Sequence, residues 1–79
     1  MVKPASAYLD ILSDTAETSD VPVSAYQVSG EYAMIEAAAA NGWIDRRTVV
    51  LEALTAVRRA GATNVLTYYA AETARWLAE

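Results

Sequence analysis

The apolar positions of the chain change period several times, and each change marks an element. Met1-Val2-Lys3 reads as the end of an extended segment, because Pro4 biases the residue before it away from helix. Pro4 itself suits a turn or the first position of a helix. From Ala5 to about Thr18, Tyr8, Leu9, Ile11, Leu12 and Ala16 recur near a period of 3.6 and predict a helix with Asp10, Asp14 and Glu17 on its wet side. Ser19-Asp20 ends it. Val21 to Val28 predicts a strand, with Pro22 near its start, where a missing donor is tolerated. An alanine-rich helix follows from Glu31 to Asn41, stopped by Asn41-Gly42 in the left-handed manner.

Trp43-Ile44 reads as a short apolar connector lying as a lid over neighbouring helices. Asp45 is a suitable N-cap for a helix from Arg46 to Ala60. Its buried stripe is Val50, Leu54 and Val57; Arg58 and Arg59 favour its negative end, and Gly61 closes it. Asn64 to Tyr68 predicts a second short strand without strict alternation, the pattern of a strand buried on both faces. Ala71 to Ala78 predicts a last helix carrying Trp76 and Leu77 for packing. The order is strand end, helix, strand, helix, helix, strand, helix. Strands alternating with helices imply right-handed crossovers and a parallel α/β sheet. So few strands cannot cover both faces of a sheet. The pattern therefore points to a portion of a larger domain, and the isolated piece is expected to self-associate to cover exposed faces and edges.

Composition narrows the chemistry. The 79 residues carry a net charge of −4, which argues against nucleic acid or an anionic membrane as partner. With neither cysteine nor histidine, the chain lacks disulfides, thiolate chemistry and the commonest metal ligands. No apolar run is long enough to span a bilayer and no leader pattern stands at the start, so the expected location is cytoplasmic.

Two positions could carry chemistry. Ser29-Gly30 forms a corner between a strand's carboxyl end and a helix start, where a hydroxyl and free backbone N–H groups suit a carboxylate or phosphate. A helix N-cap serine is the equally weighted alternative. Lys3 is the only lysine, and its residue context alone favours a solvated side chain over a reactive one.

Taken together, MVKPASAYLDIL, AYQVSGEYAMI, NGWID, VVLEALTAVRRAGA and VLTYYA resemble, in order and spacing, the C-terminal end of 5-aminolevulinate dehydratase, also called porphobilinogen synthase. The similarity runs from Met1 to Glu79 without an obvious gap. It implies the C-terminal quarter of a (β/α)8 TIM barrel, a fold that needs about 250 residues, in a family that assembles into homo-oligomers, typically octamers. It implies the condensation of two 5-aminolevulinate molecules to porphobilinogen, with release of two waters, early in tetrapyrrole biosynthesis. By the resemblance, Lys3 matches the lysine that forms a Schiff base with the first-bound substrate, and Ser29 and Tyr68 match residues holding that substrate's carboxylate. Tyr26 is expected to add aromatic wall to the same pocket. An amine attacks a ketone only when unprotonated, so a lysine with an ordinary pKa of about 10.4 must be lowered by burial and by a second cation.

The resemblance also defines what is missing. The first five barrel strands, the second active-site lysine, the residues for the other substrate, the lid and the cysteines that bind zinc in some members have no counterpart here. Zinc or magnesium belongs to the full-length family, and no cofactor site is identified in these residues. The leading expectation is an enzyme portion inactive by itself. The alternatives are a catalytically inactive barrel module acting by oligomerisation or binding, and a free-standing imine-forming enzyme using Lys3 on a small keto acid.

Overall fold

In the computed structural model, which describes all 79 residues, three extended segments run side by side and parallel. β1 is Ser24–Tyr26 and β2 is Asn64–Leu66, with Ser24 opposite Asn64, Ala25 opposite Val65 and Tyr26 opposite Leu66. Val2 joins the other edge of β1 as a parallel bridge opposite Ala25. The Val2 N–H donates to the Ser24 carbonyl at 2.8 Å, and the Tyr26 N–H donates back to the Val2 carbonyl at 2.9 Å. On the other side the Thr63 N–H donates to the Val23 carbonyl at 2.8 Å, and the Gln27 N–H donates to the Leu66 carbonyl at 2.9 Å.

The strands are shorter than the sequence pattern predicts. Val21 and Pro22 are exposed, and the Val21 N–H is drawn into a local turn by the Ser19 hydroxyl at 3.3 Å, so regular pairing begins only beyond them. The first helical stretch is also divided. A 3-10 turn covers Ser6–Tyr8, and the backbone break at Tyr8 (φ −131°, ψ 44°) separates it from α1, Leu9–Thr18. α2 is Ser29–Ala40, two residues earlier than its periodicity indicates; α3 is Arg46–Arg59 and α4 is Ala70–Ala78. The Asp45 carboxylate accepts the Thr48 N–H at 3.1 Å and caps α3 as expected. No helix is long and apolar enough to cross a membrane.

Side chains alternate across a strand, and here only one face is covered. Ala25 turns toward the helices and packs with Ala5, Leu12, Val23, Val57 and Ala62, flanked by Val2 and Val65. Tyr26 and Leu66 point the other way, onto a face no helix covers, so the expected burial of Asn64–Tyr68 on both faces does not hold within this chain. Three packing expectations also change. Trp43 is 75% exposed, Leu77, Tyr8 and Ile11 are exposed, and Leu12 is the only buried residue of α1. Trp76 is half-buried beneath the Arg46 and Arg47 guanidinium groups, at 5.8 and 5.6 Å from its ring centroid.

Gly61 locks α3 against α1. Its φ of 121° lies where side chains are strained, and a Cβ there would lie 2.5 Å from the Ala16 Cβ. Gly30 differs: it has ordinary helical backbone, and nothing lies within 4 Å of its Cβ position. Gly61→Ala is therefore expected to lower stability by more than about 1 kcal/mol. Gly30→Ala should leave it unchanged or raise it by up to about 1 kcal/mol. Urea unfolding midpoints of the two variants check this contrast.

Candidate functional site

Parallel alignment carries the carboxyl ends of all three extended segments to one edge. Because Val2 faces Ala25, Lys3 stands level with Tyr26; because Tyr26 faces Leu66, Tyr68 lies just beyond the same edge. Tyr26, Val65, Leu66, Thr67, Tyr68 and Ala70 line an open cleft of about 410 Å³ on the uncovered side of the sheet. Across it the Tyr26 and Tyr68 hydroxyls approach to 3.4 Å. That hydrogen bond, followed by mutual repulsion of the phenolates, pushes the Tyr26 pKa above the usual tyrosine range. Tyr26 is thus a neutral hydroxyl at ordinary pH, able to donate to an anion.

Of the sequence-derived candidates, Tyr26 and Tyr68 meet in the cleft. Lys3 and Ser29 stand at the same edge but do not line it, and both are exposed. Lys3 has no ion-pair partner. Its backbone is held on both sides, by the Val2 bonds before it and by the Ala5 N–H donating to the Tyr26 carbonyl at 3.1 Å after it. Ser29 is not the N-cap: Val28 occupies that position with extended backbone, and Ser29 is the first residue of α2 with no capping bond from its side chain. The capping alternative for Ser29 therefore falls. Gly30 is not needed for the turn either, since its φ is not positive.

The capping function belongs to Glu31, which the sequence reading passed over. It is 5% exposed, and its two carboxylate oxygens accept the Val28 N–H at 2.7 Å and the Ser6 N–H at 2.6 Å. A glutamate third in a helix reaching back to the N-cap N–H is half of a capping box, and its place after Ser29-Gly30 was the available signal.

A second set of side chains fixes the segment bearing Tyr68. The side-chain amide oxygen Oε1 of Gln27, a nearly fully buried residue, accepts the Thr67 hydroxyl at 2.5 Å, and Thr67 Oγ1 accepts the Tyr69 N–H at 3.1 Å. The Tyr69 ring is buried against Tyr32, with centroids 4.9 Å apart, and Tyr32 in turn leans on Tyr68 at 5.3 Å. The Tyr69 hydroxyl donates to the Glu36 carboxylate at 2.9 Å; burial and that carboxylate push its pKa well up. Arg46 closes the cluster, donating to Glu36 at 2.7 Å and in bidentate fashion to Glu72 at 2.7 and 2.8 Å. An arginine in the first turn of a helix opposes the macrodipole, which was the sequence signal that Arg46 has carboxylate partners.

Comparison with known proteins follows the same outline. The chain matches the family model described as delta-aminolevulinic acid dehydratase over residues 1–76. It is 68% identical over 77 residues to the delta-aminolevulinic acid dehydratase of Streptomyces coelicolor, covering 98% of this chain and 23% of that protein. The Mycobacterium tuberculosis enzyme of the same name is 66% identical over 77 residues, with the same shares of 98% and 23%. A solved structure of delta-aminolevulinic acid dehydratase (porphobilinogen synthase) from Toxoplasma gondii, in complex with the reaction product porphobilinogen, superposes with a TM-score of 0.94 at 55% identity, over 96% of this chain and 22% of that one. The chain thus spans about a quarter of the length of the relatives it matches.

The Arg46 cluster sets the acid limit of this arrangement. Its guanidinium holds the Glu36 and Glu72 carboxyls below their ordinary value of 4.5. Groups with folded pKa values below their unfolded ones add stability that is present above the unfolded value and lost as pH falls through the folded one. Thermal midpoints should therefore fall as pH drops below about 4.5. Arg46→Gln should flatten that decline, as scanning calorimetry against pH would record.

Proposed function

The chain belongs to the delta-aminolevulinic acid dehydratase family, and from that premise we propose that it forms the C-terminal quarter of a porphobilinogen synthase barrel. Joined to the remainder, it supplies the site for the first-bound of two 5-aminolevulinate molecules. The observation that carries this reading is the meeting of Tyr26 and Tyr68 in one cleft, at the strand edge where Lys3 and Ser29 also stand. The resemblance in sequence assigns the same four residues to one substrate.

In this reading Tyr68 and Ser29 donate hydroxyl hydrogens to the substrate carboxylate, aided by the N–H groups of the first turn of α2, which have no acceptor within the helix. Tyr26 forms the wall against which Tyr68 rests. The neutral Lys3 amine adds to the ketone carbon, and loss of one water leaves an imine. The cation that favours the neutral amine comes from the part of the barrel outside these residues, as does the second substrate's site. Catalysis is thus a property of the whole barrel in its homo-oligomer, and the isolated chain is inactive.

The residues of this chain do not fit a metal. There is no cysteine or histidine, and no three acidic side chains converge. The zinc or magnesium implied for full-length relatives is held by other residues, and no step described here passes through it.

A graft tests the proposal. Residues 1–79 replace the matching segment of the Streptomyces coelicolor relative, and porphobilinogen formation is measured. The graft should be active, and Lys3→Ala in it should lower kcat by at least about a hundredfold. A folded, assembled graft without activity, or one indifferent to Lys3→Ala, refutes the reading.

A further inference from the structure

One buried ionisable group has no part in the chemistry above: Glu31, whose carboxylate lies in the interior with no basic side chain paired to it. Its two partners are backbone N–H groups from segments 22 residues apart in sequence, Ser6 and Val28. Ser6 lies three residues after Lys3, and Val28 immediately precedes Ser29. A carboxylate that accepts backbone N–H bonds from two separate segments, one on each oxygen, ties those segments together through a single side chain.

We propose that Glu31 is a positioning residue that sets the Lys3 segment against the start of α2, and so fixes the spacing between the imine-forming amine and the Ser29 end of the substrate. The geometry leaves few other restraints to do this. Before Lys3, the chain is fixed by the Val2 bridge to β1; after it, by the Ala5 N–H on the Tyr26 carbonyl and the Ser6 N–H on Glu31. The first two tie Lys3 to the strand. Only the Glu31 bond ties its segment directly to the helix that begins with Ser29. Glutamine in place of Glu31 has nearly the same shape but one oxygen and one NH2, so a backbone N–H would face a donor instead of an acceptor. One of the two ties must break, and the remaining one loses its charge assistance.

The inference rests on the proposed roles of Lys3 and Ser29, and the graft separates its failure from theirs. Glu31→Gln and Glu31→Asp are compared with the unsubstituted graft by kcat, KM and thermal midpoint, with Gly61→Ala as a control that loosens helix packing away from the cleft. In Glu31→Gln, kcat should fall about tenfold or more while KM changes by less than about threefold, because misalignment affects the attack while Tyr68 and Ser29 still hold the carboxylate end. Glu31→Asp keeps the charge but shortens the reach, so it should lose at least about threefold in kcat and not rescue the site. It also answers the question if the glutamine variant does not fold. Gly61→Ala should lower the midpoint with kcat nearly unchanged. If either folded Glu31 variant behaves like Gly61→Ala, losing midpoint but keeping kcat within about twofold, Glu31 is a structural cap and the inference is overturned. A graft inactive before any substitution at Glu31 overturns the underlying roles of Lys3 and Ser29, and this inference with them.

Discussion

Parallel pairing of three short segments governs the rest of the molecule. Val2, β1 and β2 are each too brief to be stable as isolated strands, and they are aligned by a handful of backbone hydrogen bonds together with helices packed on one side. Parallel pairing demands a crossover between neighbours, and α1, α2 and α3 occupy those crossovers. The consequence is directional. All three segments point the same way, so the residues that follow them, Lys3, Gln27 to Ser29 and Thr67 to Tyr69, arrive at one edge. Were one segment antiparallel, Tyr26 and Tyr68 could not share a cleft.

Carboxylates then set the positions of the residues at that edge. Glu31 joins the segment after Lys3 to the start of α2. Glu36 and Glu72 converge on Arg46, joining α2, α3 and α4, while Tyr69 hangs from Glu36 and braces Tyr32 and Tyr68. The two arrangements differ physically. Glu31 is buried and balanced by backbone N–H groups, so its removal leaves two part-buried donors without their acceptor. The Arg46 cluster is about one-third exposed, with side-chain exposures of 32%, 32% and 33%, so water screens much of its attraction. Its contribution is to orientation more than to stability, since a planar bidentate fork fixes direction as well as distance.

Much of the fold was legible in the sequence because its signals are local. Helical periodicity located α3, Asp45 marked its start, and Gly42 and Gly61 marked stops that the backbone obeys. What periodicity misplaced depends on tertiary context. Val21 to Val23 has strand-like composition, but pairing begins where Thr63 meets the Val23 carbonyl. Trp43 looks like a lid by hydrophobicity, yet most of it stands in solvent. The open face carrying Tyr26 and Leu66 follows from the strand count: too few strands are present to close on themselves. The site showed the same division. Ser29 stood out by its strand-to-helix corner and Lys3 as the only lysine, and the motif resemblance added Tyr26 and Tyr68, whereas Glu31, Tyr69 and Arg46 act through partners 25, 33 and 26 residues away whose identity no local pattern reveals.

The central claim is that this strand edge delivers Lys3 to a ketone held by its carboxylate. It is tested most directly by borohydride reduction of the grafted enzyme in the presence of 5-aminolevulinate, followed by intact mass and peptide mapping. One reduced adduct per chain, confined to Lys3, is expected. An adduct spread over other amines, or none while the full-length relative is trapped efficiently, would contradict it.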